Sequence, residues 1–91
     1  MFGLAERYFF VFNSRNQAVY MEELLRERGY SVELRPTPSK IAKSCNTSLV
    51  ALGSSKEIDN IRRQIQKYKM SVRGVYREVQ TGYFTDYAKI Y

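Results

Sequence analysis

The apolar positions of the chain alternate between a strand-like period of two residues and a helical period. Residues 7–12 are dense in aromatic and β-branched residues, which predicts a strand. Residues 31–35 alternate polar with apolar side chains until Pro36 ends the pattern, and residues 47–52 and 72–79 predict two further strands. Helical spacing of apolar residues separates the first strand from the second and the third from the fourth. The predicted order is therefore β-α-β-β-α-β.

Each predicted helix begins at a serine that is suited to cap it. Ser14 is followed by Gln17 and Ser54 by Glu57, which is the spacing of a capping box. Gly29 favours the left-handed conformation that ends a helix, so the first helix should stop there. Two amphipathic helices cover only one face of a four-stranded sheet. The predicted fold is α+β, a ferredoxin-like sandwich with a four-stranded antiparallel sheet and two helices on one face.

The length allows one modest core. A chain of 91 residues rarely splits into two cores, and no repeat or linker interrupts it. We interpret residues 1–80 as a single ferredoxin-like domain and residues 81–91 as an aromatic C-terminal tail. A domain of this size buries only about 60–65% of its unfolded surface, which leaves no room for a deep, multi-walled active site.

The first strand carries apolar side chains on both faces. Phe9 and Val11 point away from the face that carries Tyr8, Phe10 and Phe12. If both helices cover the latter, aromatic residues remain on the opposite face of the sheet, which we term the open face. Monomers seldom leave a large apolar patch bare. The tail, a homodimer partner or a stacked ligand could cover the open face, and we favour the tail or a homodimer.

The residue types that are absent exclude most enzyme chemistry. The chain has no histidine, which excludes histidine-based nucleophile pairs, acid–base catalysis and zinc ligation. A single cysteine can form neither an internal disulfide nor a thiolate metal cage, which is typical of a cytosolic protein. The longest apolar run, residues 8–12, is too short for a membrane span or a signal-peptide core. We expect a cytoplasmic protein with no metal, no cofactor and no membrane association.

The polar stretch between the second and third strands contains the one candidate for chemistry. Pro38 is suited to the first position of a helix, which predicts a single helical turn within residues 37–46. The net charge of +6 and the pI near 9.6 suit acidic partners but identify none.

Cys45 lies in a cationic part of this stretch. Lys40 and Lys43 precede it, and positive neighbours favour a thiolate over a thiol. Ser44 and Asn46 flank the sulfur in the sequence and could donate hydrogen bonds to a thiolate or a persulfide. The alternative is that Cys45 is a small buried hydrophobe, as most free cysteines are.

The run PTPSKIAKSC at residues 36–45 resembles the signature of a family of small bacterial selenium/sulfur carrier-like proteins. In that family, a strand and a helix precede a Pro-x-Pro loop, and Ser-Cys-Gly follows before the next strand. The likeness extends over about residues 8–76 and includes the Gly-Val-Tyr of residues 74–76. Asn46 stands where the family usually has glycine, and Ala42 where serine or threonine is common. Asparagine is the best substitute for glycine in a left-handed turn.

This resemblance implies a relay protein rather than a classical enzyme. A donor such as a cysteine desulfurase would pass sulfur, or selenium, to the Cys45 thiolate, and an acceptor enzyme would then take it. Such an exchange needs an accessible thiolate but no general base. The anion is expected to be stabilised by the charges of Arg35, Lys40 and Lys43 and by hydrogen bonds from Ser44 and Asn46.

Two other interpretations remain open. An RNA-binding module shares the element order and the basic charge, and residues 9–13 loosely imitate its first-strand motif. The third strand, residues 47–52, lacks the aromatic residues on which such a module stacks bases. Alternatively, the domain is a protein-interaction module in which Cys45 is incidental, since this fold hosts many unrelated functions.

Overall fold

Five strands form one sheet, and two helices cover one of its faces. The computed structural model of the chain describes residues 6–42, 47–70 and 72–91. The elements in chain order are β1 (Glu6–Phe12), α1 (Arg15–Glu27), β2 (Val32–Pro36), β3 (Thr47–Gly53), α2 (Ser55–Lys67), β4 (Val72–Thr81) and β5 (Phe84–Lys89).

The sheet order is β2-β3-β1-β4-β5, and every neighbouring pair is antiparallel. The sequence predicted four strands, and this was wrong because part of the segment interpreted as a tail forms β5. A two-residue turn joins β4 to β5, with Thr81 opposite Phe84. Gly82 has φ of 60° at the first turn position, a conformation that glycine adopts without steric cost. Through this turn, β5 forms backbone hydrogen bonds with the edge of β4 that β1 leaves unpaired.

The hydrophobic core lies between the sheet and the helices. Tyr8, Phe10 and Phe12 of β1 are buried in it, as the alternation predicted. The helices contribute one apolar stripe each, comprising Ala18, Met21 and Leu25 from α1 and Ile58, Ile61 and Ile65 from α2. Burying a side chain of this size contributes about 1.5–3 kcal/mol, so this cluster dominates the stability of the domain.

The two helix starts differ in how they are capped. At α2 the capping box is confirmed: the Glu57 backbone N–H donates to Ser54 Oγ at 3.4 Å, and the Ser54 N–H donates to the Glu57 carboxylate at 3.2 Å. Ser14 occupies the N-cap of α1 with extended backbone angles, but its side chain makes no capping hydrogen bond. The capping box predicted at Ser14 was therefore wrong, because spacing alone does not fix the orientation of the serine side chain.

Both helices end in a left-handed residue, but only one of these residues is glycine. Gly29 has φ of 88°, and the Tyr30 N–H donates to the Leu25 carbonyl at 3.0 Å, which confirms the predicted end of α1. Lys69 takes the same place after α2 with φ of 57°, and the backbone hydrogen bonds there repeat the pattern. A side chain in this conformation carries a steric penalty that glycine avoids.

Replacing Lys69 by glycine should therefore stabilise the protein. We expect Lys69→Gly to raise the free energy of unfolding by about 0.5–1 kcal/mol, measured by urea denaturation. Gly29→Ala is the matched control and should lower the free energy of unfolding by about 1 kcal/mol. An unchanged or lower stability of Lys69→Gly would show that this position is not strained.

Candidate functional site

Phe9 and Val11 of the open face are buried, although neither α1 nor α2 packs against them. Phe9 and Val11 are only 4% and 2% exposed. The ring of Tyr87 from β5 meets the Phe9 ring edge-on, with the centroids 5.3 Å apart, and the Arg7 guanidinium lies 5.6 Å from the Phe9 centroid. The segment predicted as a tail thus covers part of the open face from within the sheet.

The Tyr87 phenol is neutral at physiological pH, and its surroundings favour that form further. Burial raises the pKa of the Tyr87 phenol above its ordinary value of 10.0, and the neighbouring Glu78 carboxylate raises it further. Arg7 opposes this effect in part. The Tyr87 ring therefore covers Phe9 in the same protonation state across the physiological pH range.

A single turn of residues 38–42 lies beside the Val11 end of the open face. The backbone N–H groups of Ile41 and Ala42 both donate to the Pro38 carbonyl, at 2.9 and 3.1 Å. The single turn predicted at Pro38 is thereby confirmed. Ile41 and Ala42 line a small cavity together with Val11, so the turn approaches the open face with its apolar side chains.

Two hydrogen bonds anchor the described part of this loop, residues 37–42. The Thr37 hydroxyl shares a hydrogen bond of 2.5 Å with the hydroxyl of Ser48, which is fully buried in β3. The Lys40 ammonium donates to the backbone carbonyl of Thr85 in β5 at 2.6 Å. The loop that leaves β2 at one edge of the sheet therefore reaches the strand at the other edge.

Only one of the five site residues predicted within residues 40–46 can be placed. Lys40 is exposed and anchors the turn to β5, which is a structural role that the sequence did not suggest. Lys43, Ser44, Cys45 and Asn46 lie outside the described residues. The site is therefore described by its flanks in the sequence, the 38–42 turn before it and β3 after it.

Sequence reasoning missed two cations near the turn. Arg73 of β4 and Lys89 of β5 line the same cavity as Ile41 and Ala42. They are far from the cysteine in the sequence, and Lys89 fell in the predicted tail. The Gly82 hairpin signal, which pairs β5 with β4, was the feature that could have brought Lys89 to this place.

Three arginines near β2 are paired with carboxylates. A groove of about 600 Å³ runs along the β2 side and is lined by Arg7, Arg26 and Arg35, among others. Their partners are Glu78, Glu22 and Glu33, at N–O distances of 3.4, 3.5 and 2.9 Å. Pairing leaves little uncompensated positive charge in this groove.

The β1 and β3 positions of the open face offer no exposed aromatic ring for base stacking. Phe9 is 4% exposed beneath Tyr87, and its partner in β3 is Val50. Single-stranded RNA modules stack bases on exposed aromatic rings of the sheet. This arrangement does not favour the RNA-binding interpretation.

The comparisons with known proteins give one match. A family model described as "Putative Se/S carrier protein-like" matches residues 7–77. The chain belongs to this Se/S carrier protein-like family. The match runs from β1 into β4 and includes the loop that contains Cys45, whereas β5 lies beyond it.

No curated protein and no solved structure matches the chain. In the part of the chain that the structure describes, neither helix of this Se/S carrier-like protein is long and apolar enough to cross a membrane.

The hydrogen bond from Lys40 to Thr85 should stabilise the 38–42 turn. Replacing Lys40 by methionine removes the hydrogen bond to Thr85, so we expect amide hydrogen exchange at Ile41 and Ala42 to accelerate about fivefold. The measurement is hydrogen exchange followed by NMR. Lys56→Met on exposed α2 is the control and should leave both rates unchanged. Equal rates in wild type and Lys40→Met would mean that the turn is held by other contacts.

Proposed function

We propose that this protein carries sulfur or selenium on the Cys45 side chain between a donor and an acceptor enzyme. The observation that carries this proposal is membership of the Se/S carrier protein-like family over a match that includes the cysteine loop. Cys45 is the only cysteine in the chain, so any thiol chemistry of the protein belongs to it.

Each of the two transfers balances with a pair of cysteine thiols alone. The Cys45 thiolate attacks the terminal sulfur of a persulfide on the donor enzyme, and a new sulfur–sulfur bond forms. The bond within the donor persulfide breaks, and the donor cysteine leaves as a thiolate. An acceptor thiolate then removes the terminal sulfur from Cys45 in the same way. No general base is needed, because both attacking groups are already thiolates.

Positive charge supports the anion in this proposal. Lys43 precedes Cys45 by two residues, and Ser44 and Asn46 flank it in the sequence. We assign Lys43 the role of stabilising the thiolate and persulfide, with Ser44 and Asn46 as hydrogen-bond donors. Lys40 contributes its charge nearby while holding the turn to Thr85.

The fold supports the role of a relay protein. The adjacency β2-β3-β1-β4 is the order of a ferredoxin-like domain, and we propose that the domain is one extended by β5. Such a carrier acts in the cytoplasm on protein partners and need not hold a deep substrate pocket. Its family membership and its basic charge of +6 favour donor and acceptor enzymes with acidic surfaces.

The reactivity of Cys45 tests the proposal. We expect the rate of iodoacetamide alkylation to rise with pH around a midpoint clearly below 8.5, the approximate pKa of a free cysteine. In denaturant, the midpoint should return to about 8.5. A cysteine that reacts only after denaturation would remove the chemical group on which the proposal depends.

Two matched variants test whether the charge of Lys43 lowers the pH midpoint of Cys45 alkylation. Lys43→Gln should raise the midpoint by roughly 0.2–0.5, the shift expected of one exposed charge near a titrating group. Lys56→Gln removes the same charge from α2 and should leave the midpoint unchanged. Equal midpoints in wild type and Lys43→Gln would exclude the role assigned to Lys43.

A further inference from the structure

Arg73 and Lys89 both line a cavity on the open face, and both also border a second cavity on the helix side of β4. The cavity on the open face has a volume of about 180 Å³ and is lined by Val11, Ile41, Ala42, Arg73, Tyr76 and Lys89. Throughout the described ranges, neither Arg73 nor Lys89 forms an ion pair, whereas Arg7 and Arg35 of the same sheet do. The two positive charges are thus available to an anion from outside.

A β-bulge accounts for the position of Arg73. In the pairing of β1 with β4, Val11 lies opposite Gly74 and Phe12 opposite Val72, so Arg73 has no partner in β1. An extra residue of this kind changes the direction of its side chain relative to the regular alternation, and bulges are common beside functional sites. Here the bulge lets Arg73 line the same cavity as residues of the open face.

The absence of a side chain at Gly74 positions Lys89. Tyr76 pairs with Lys89 across β4 and β5. A Cβ atom on Gly74 would lie 3.1 Å from the Tyr76 ring and 3.4 Å from Lys89 Cε. The ring and the lysine stem therefore pack over the bare backbone of Gly74, beside the cavity.

We propose that Arg73 and Lys89 form a binding site for a small tetrahedral oxyanion of the phosphate, sulfate or thiosulfate class. A cavity of about 180 Å³ has room for one such ion. The planar guanidinium of Arg73 matches two oxygens of a tetrahedral anion, Lys89 adds a point charge, and the Tyr76 hydroxyl can donate. The site uses none of residues 43–46 and goes beyond the relay proposed for Cys45.

The test is a titration of the ¹⁵N-labelled protein with inorganic phosphate at constant ionic strength. We expect saturable chemical-shift changes centred on the amides of Gly74, Tyr76 and Lys89. Arg73→Gln and Lys89→Gln should each weaken phosphate binding about tenfold, because each removes a charge-assisted hydrogen bond. Both residues are exposed, so the variants should keep the spectrum of the folded protein elsewhere. Lys56→Gln is the control of equal charge and should bind phosphate as the wild type does.

Titrations with other anions test the class of ligand. Thiosulfate should cause the same pattern of shifts and compete with phosphate, whereas chloride and the planar anion acetate should cause no saturable change. The proposal would be overturned by any of three results. The shifts never saturate, they are equal in the Arg73→Gln and Lys56→Gln variants, or chloride reproduces them.

Discussion

The central strand β1 carries large apolar side chains on both faces, and both faces must be removed from water. One face is buried as expected, since Phe10 and Phe12 pack under the two helices. The other face has no helix layer, yet Phe9 and Val11 are as deeply buried as core residues. The chain therefore has to supply cover for the open face from its remaining segments. This requirement explains most of the architecture outside the helix-facing core.

Two segments provide that cover. β5 extends the sheet and places Tyr87 against Phe9. The 38–42 turn lies beside Val11, with the Thr37–Ser48 and Lys40–Thr85 hydrogen bonds as anchors. The residues that precede the cysteine loop are thus part of the hydrophobic packing. A segment that follows a fixed turn loses less conformational entropy on docking to a partner than one that follows a free chain.

The local pattern of the sequence predicted the helices and four of the strands, because hydrophobic periodicity and helix caps depend only on residues close together in the sequence. β5 was missed because its aromatic residues lie at the end of the chain and were interpreted as a tail, although Gly82 marks a two-residue hairpin. The proximity of Arg73 and Lys89 could not be predicted from the sequence, for a different reason. It depends on the register of β4 with two neighbours and on a bulge, and neither is encoded by local periodicity. The candidate site was predicted from its motif, and Lys40 is the residue of that site that the structure places.

The capacity of Cys45 to accept a sulfur atom is the central claim, and direct loading tests it most simply. The full-length protein would be incubated with a cysteine desulfurase and cysteine, and its intact mass measured before and after treatment with a thiol reductant. We predict a gain of the mass of one sulfur atom that the reductant reverses and that is absent from Cys45→Ser. An unchanged mass in the presence of a donor that is itself visibly persulfidated would contradict the account.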